Sequence, residues 1–120
     1  MWKKIMIVDD EDEFGATLAE RLMLRDYDAK AIDNVETAMI ELKQWQPDLV
    51  LLDLRMPGGF GMNTIKAIKD INPSCKIIMV TGHGGEKNMT EAIESGADGF
   101  MMKPIDIDEL LKKIKELQSK

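Results

Sequence analysis

A chain of 120 residues with 44% apolar and 32% charged side chains has the make-up of one soluble globular domain built on a single core. Its net charge of -6 argues against direct nucleic-acid binding, which needs lysines and arginines to replace phosphate counterions. No apolar run reaches bilayer length, and residues 1 to 8 lack the long apolar core and cleavage site of a signal peptide, so a cytoplasmic location without membrane contact is expected.

Ile5-Met6-Ile7-Val8 is an apolar run of strand length, followed by the acidic turn Asp9 to Glu13 and a helix with Phe14, Leu18 and Leu22 at four-residue spacing. Ala29 to Ile32 predicts a second strand, weakened by Lys30. Asn34 can cap a helix whose stripe is Val35, Ala38, Met39 and Leu42, and Pro47 separates that helix from the next strand. This third strand, Leu49 to Leu52, is aliphatic enough to be buried on both faces and stops at one carboxylate, Asp53. Met56 to Gly61 reads as a loop, leading into a helix with Met62, Ile65, Ile68 and Ile71 on one side, closed by Asn72-Pro73. Cys75, the single cysteine, cannot form an internal disulfide and reads as a small strand-edge residue.

The fourth strand, Ile77 to Val80, ends at Thr81, and Gly82-His83-Gly84-Gly85 is the expected moving part. A helix around Glu86 to Ser95 offers Met89, Ala92 and Ile93 as its inward stripe, with Gly96 as terminator. Gly99 to Met102 forms a fifth strand before Lys103-Pro104. Asp106 and Glu109 are spaced as a capping box for a last helix burying Ile107, Leu110, Leu111, Ile114 and Leu117. The expected fold is α/β: a doubly wound five-stranded parallel sheet, flavodoxin-like order 2-1-3-4-5, with two helices on one face and three on the other.

In such sheets ligands bind beyond the carboxyl ends of the strands, where Asp9, Asp10, Asp53, Thr81 and Lys103 all lie. Taken alone, the acidic run has a plain explanation, because carboxylates favour a helix N-terminus. Once Asp53 joins it, the converging carboxylates repel one another unless a cation sits among them. Oxygen-only ligands with few carboxylates suit Mg2+ better than Ca2+. A metal so held, facing a lysine and a threonine, has the parts for phosphoryl transfer. Lys103 would pair with one phosphoryl oxygen, Thr81 would donate to another, and Asp53 would be the nucleophile that forms an acyl phosphate. Singly, Lys103 and Thr81 are more simply a surface lysine and a strand-end hydroxyl; their joint placement is what points to a site.

The runs Lys4 to Asp10, Leu51 to Pro57, Val80-Thr81-Gly82 and Lys103-Pro104 together resemble the receiver domain of two-component response regulators, with residues 1–120 forming one such domain. The resemblance implies that Asp53 takes a phosphoryl group from a phosphohistidine of a sensor histidine kinase or phosphotransfer protein. It implies Mg2+ bound by Asp10, Asp53 and the backbone carbonyl of Arg55, with Asp9 assisting through water, and a cis peptide before Pro104. It further implies a switch: Thr81 moves toward the phosphoryl group and Phe100 turns inward, biasing the surface of the fourth helix, fifth strand and last helix toward a downstream effector protein or domain, or toward a phosphorylation-dependent dimer. Phe100 as an ordinary core residue is the plain alternative. On this reading the chain is not an enzyme but a phosphoacceptor that assists its own Mg-dependent phosphorylation and dephosphorylation. Arg55 and His83, each two residues beyond a site residue, stand at positions that vary in the family and are candidates for tuning the acyl phosphate's lifetime, although a solvated loop residue is the favoured reading of His83. Phe60 stands where an Asp or Asn is common in the family, so contacts of that loop are expected to differ.

The rival readings are a docking module of the same fold that is never phosphorylated, an FMN carrier, and a Mg-dependent aspartyl-phosphate phosphatase. The phosphatase would want an Asp at position 55, and Asp9-Asp10-Glu11 would repel the phosphate of FMN.

Overall fold

The computed structural model describes residues 3–53, 55–56, 59–82 and 86–119, except for the side chains of 55–56, 59–62 and 86–88. In chain order the elements are β1 (Lys4–Val8), α1 (Asp12–Met23), β2 (Asp28–Ile32), α2 (Val35–Trp45), β3 (Leu49–Asp53), α3 (Gly61–Ile71), β4 (Lys76–Thr81), α4 (Glu86–Glu94), β5 (Gly99–Met102) and α5 (Ile107–Gln118). The five strands form one parallel sheet in the order β2-β1-β3-β4-β5. Alternation along each central strand divides the core into two layers. Met6, Val8, Val50, Leu52, Ile77 and Met79 pack with α2, α3 and α4, whereas Ile5, Ile7, Leu49, Leu51, Ile78 and Val80 pack with α1 and α5. The doubly wound fold and the split of two helices against three match the sequence expectation.

Local signals explain the element ends. Asn34 Oδ1 accepts from the Thr37 amide at 2.7 Å, capping α2 as expected. Gly96 lies at φ 115°, the left-handed region that glycine enters without strain, and closes α4. Asp106 caps α5 by accepting from the Asp108 amide at 2.9 Å rather than from Glu109, so the spacing marked the right residue but not the bond it makes.

Three expectations are corrected. First, Met89 and Ile93 do not face inward: they are 44% and 47% exposed, and only Ala92 of that stripe is buried. Their side chains instead line a groove of about 430 Å³ with Phe100 and Lys113. Second, part of the segment read as loop forms a two-stranded antiparallel ribbon, with Arg55–Met56 paired to Gly59–Phe60. Two residues per strand are too few to show a period. Third, Ile107 and Leu111 of α5 are half-buried, while Leu110, Ile114 and Leu117 carry the buried face. The side chain of Met62 and most of the Gly82–Gly85 loop lie outside the described residues.

Two aspartates lace the amino-terminal edge of the sheet. Asp48 Oδ2 accepts from the amides of Lys3 and Lys4 at 2.9 and 3.0 Å, and the Asp48 carbonyl accepts from the Lys76 amide. Asp98 Oδ2 accepts from Lys69 Nζ and from the Ile77 amide, both at 2.9 Å. Beside them Cys75 is buried, and burial pushes its thiol from 9.0 up to about 12, with Lys69 partly opposing the shift. An alkylating reagent at about pH 8 is therefore expected to leave the folded protein unmodified and to label Cys75 fully in denaturant. Between 9.0 and about 12 the folded thiol keeps a proton that the unfolded one has lost, so this group makes stability fall as pH rises through that window. Native-state labelling at the rate of a free cysteine would contradict both statements.

Candidate metal centre

Each site residue sits where a strand leaves the core. Val8 is level with Leu52, Asp53 with Val80, and Thr81 with Met102, so the carboxyl ends of β1, β3, β4 and β5 come to one edge. Because β1 connects outward to β2 while β3 leads away to β4, the crevice between β1 and β3 is the point where strand order reverses. Asp9 and Asp10 follow β1 on one side of it, and Asp53 ends β3 on the other.

Ligand oxygens of Asp9, Asp10 and Asp53 all lie within 4.8 Å of one another. Asp9 and Asp53 are buried and Asp10 is exposed, which leaves the cluster open to solvent on one side. Asp9 Oδ1 accepts from the Glu11 amide at 2.9 Å. Its Oδ2 is buried and has no aligned hydrogen-bond donor, although Lys103 Nζ stands 2.9 Å away as a charge partner. Three carboxylates this close carry more negative charge than the one ammonium beside them offsets, and a cation among them would balance it. Oxygen-only donors in a partly open cluster select a hard divalent ion that retains water. The residues therefore fit a divalent cation.

Lys103 follows β5 and crosses to the same edge. Its Nζ is 3.7 Å from Asp53 Oδ2, and its backbone amide donates to the Thr81 carbonyl at 2.8 Å. Burial of the ammonium works against its charge, but Glu11, Asp9 and Asp53 outweigh this and hold its pKa above the ordinary 10.5. The peptide between Lys103 and Pro104 is cis. Thr81 is buried at the end of β4, and Phe100 is half-buried, packed against the α2–α3–α4 layer while also lining the α4–β5–α5 groove.

Asp9, Asp10, Asp53, Thr81 and Lys103 thus converge as the strand-end pattern predicts. Arg55 lies just beyond β3, its backbone paired with Phe60 in the ribbon; its side chain, that of Phe60 and all of His83 lie outside the described residues. Sequence reasoning missed Glu11 and Phe14. Glu11 Oε1 lies 2.5 Å from Lys103 Nζ, and the Phe14 ring centroid is 4.4 Å from the same nitrogen. The one signal that could have found them was their position in the turn that follows Asp9-Asp10.

Comparison with known proteins agrees with this geometry. Residues 5–115 match the family model described as "Response regulator receiver domain". The chain is 36% identical over 118 residues to the transcriptional regulatory protein LnrK of Bacillus subtilis, covering 97% of this chain and 54% of that protein. It therefore spans only about half the length of that relative. The chemotaxis protein CheY of Halobacterium salinarum is 31% identical over 118 residues, covering 98% of each chain. Among solved structures, the beryllofluoride-activated NtrC4 receiver domain dimer superposes with a TM-score of 0.88 at 31% identity, covering 94% of this chain and 93% of that one. No helix among the described residues is long and apolar enough to cross a membrane. With acidic strand ends, a cross-sheet lysine and a family model that runs nearly end to end, the chain belongs to the response regulator receiver domains of two-component systems.

Proposed function

We propose that this chain is one receiver domain over residues 1–120 and works as a phosphorylation-dependent switch with Asp53 as phosphoacceptor. The observation that carries the reading is the meeting of Asp9, Asp10 and Asp53 oxygens within 4.8 Å, with the Lys103 ammonium 3.7 Å from Asp53. An Asp53 oxygen attacks the phosphorus of a phosphohistidine on a sensor kinase or phosphotransfer protein. A P–O bond forms as the donor P–N bond breaks, and the leaving imidazole nitrogen is protonated. Asp10, Asp53 and the Arg55 carbonyl would hold Mg2+, with Asp9 acting through water, and the ion would supply neutralisation of charge on the transferring oxygens. Lys103 pairs with one phosphoryl oxygen and the Thr81 hydroxyl donates to another. Water attacking the phosphorus of the acyl phosphate later breaks its bond to the Asp53 oxygen, releasing inorganic phosphate and the free carboxylate, at a rate to which Arg55 and His83 contribute.

The output follows from Thr81 and Phe100. Thr81 closing on the phosphoryl group opens space behind it for Phe100, which changes the α4–β5–α5 groove that Met89 and Ile93 leave exposed. A downstream effector, or a second phosphorylated copy, reads that surface. The NtrC4 receiver dimer supports the second option by analogy.

Intact mass after incubation with a small phosphodonor and Mg2+ tests the reading. One phosphoryl adduct is expected, and it should fail to form when the metal is chelated. An adduct that forms equally without metal would overturn the assignment.

A further inference from the structure

Glu11 opens α1, its carbonyl accepting from the Gly15 amide at 3.0 Å. A carboxylate at that position would ordinarily serve the helix dipole. Here the side chain turns instead toward a residue 92 positions away, placing Oε1 2.5 Å from Lys103 Nζ. The ammonium is thereby held between Glu11, Asp9 Oδ2 at 2.9 Å and the Phe14 ring at 4.4 Å. Asp53 Oδ2, at 3.7 Å, is beyond hydrogen-bond reach of it. The Glu11 side chain is 63% exposed and that of Lys103 only 13%, so the pair can open by a rotation of Glu11 into solvent.

We propose that Glu11 is a positioning residue that holds Lys103 on the α1 side of the site while Asp53 is unmodified, so that phosphorylation must draw the lysine away from it. The inference rests on Asp53 being the phosphoacceptor. An ammonium has three donors, and in the unmodified site Glu11 and Asp9 are its nearest carboxylate partners. A phosphoryl group on Asp53 adds charge and acceptor oxygens that compete for the same ammonium. Glu11 therefore favours the unphosphorylated arrangement, and Phe14 provides the wall against which the lysine rests.

Calorimetric titration with beryllofluoride, a mimic of the phosphoryl group, at saturating Mg2+ separates the possibilities. Glu11→Gln keeps the side chain's shape and removes its charge. It is expected to bind the mimic about three- to fivefold more tightly than the wild type at low ionic strength, the range set by a solvent-exposed ion pair. That ratio should shrink toward one at about 1 M salt, where the screening length falls to ~3 Å. A purely structural effect of the substitution would not respond to salt in this way. Equal or weaker binding by Glu11→Gln, or a ratio that salt leaves unchanged, would overturn the role of Glu11 while leaving Asp53 as phosphoacceptor. Absence of binding by the wild type itself would overturn the phosphoacceptor reading and this inference with it.

Discussion

Asp53→Asn is expected to lose the phosphoryl adduct completely and yet to melt at a higher temperature than the wild type in metal-free buffer. The first half follows from chemistry, since an amide cannot supply the attacking carboxylate oxygen. The second follows from crowding. Three carboxylates whose oxygens lie within 4.8 Å repel one another, and two of them are buried, where solvent screens poorly. Removing one charge relieves that repulsion but also removes an attraction to Lys103 at 3.7 Å, leaving a net gain of about 1 kcal/mol, or several degrees for a domain of this size. Saturating Mg2+ should reverse the order. At a hundredfold excess over Kd the wild type gains about 2.7 kcal/mol by mass action, most of which the variant forgoes because it lacks a ligand charge. Differential scanning calorimetry of both proteins with and without metal checks this crossing. If Mg2+ raises both melting temperatures equally, the acidic cluster does not bind the ion through Asp53.

Leu52→Ala is the substitution expected to damage the fold most. Leu52 is fully buried in β3, and it packs in the layer that includes Met6, Val50, Ile77 and Met79. Truncation there removes apolar contacts and leaves a cavity that a sheet paired on both sides cannot collapse to fill. The cost should be about 2–5 kcal/mol. Leu24→Ala is the matched control: its side chain is 77% exposed at the end of α1, and it should change stability by less than about 0.5 kcal/mol. Urea unfolding of the pair decides the matter. A midpoint for Leu52→Ala within error of that for Leu24→Ala would contradict the packing described here.

The alternation of strand and helix was legible because the central strands are buried on both faces and read as uninterrupted aliphatic runs. Ile5 to Val8, Leu49 to Leu52 and Ile77 to Val80 could hardly have been anything else at that length. The site was legible for a related reason. A hydrophobic run that halts at a carboxylate, a hydroxyl or a lysine marks the edge of the sheet, and parallel strands put those edges side by side.

Periodicity failed at α4, where Met89 and Ile93 keep the spacing of a core stripe yet face a groove. Hydrophobic spacing identifies a face, and the neighbouring chain decides whether that face is covered. It failed also for Glu11 and Phe14, whose contact with Lys103 joins residues at opposite ends of the chain. Neither residue type signals such a contact, because an acidic turn and an apolar first-turn residue are ordinary at a helix start.

The two aspartates at the amino-terminal edge cross-link that end of the sheet. Asp48 ties the starts of β1, β3 and β4, and Asp98 ties the entry to β5 to α3 and β4. At the opposite end, beside Asp53, the Lys103 amide donates to the Thr81 carbonyl at 2.8 Å, so the tips of β4 and β5 are joined. In the proposed switch, a displacement of Thr81 would therefore act on a backbone already joined to the strand that carries Phe100.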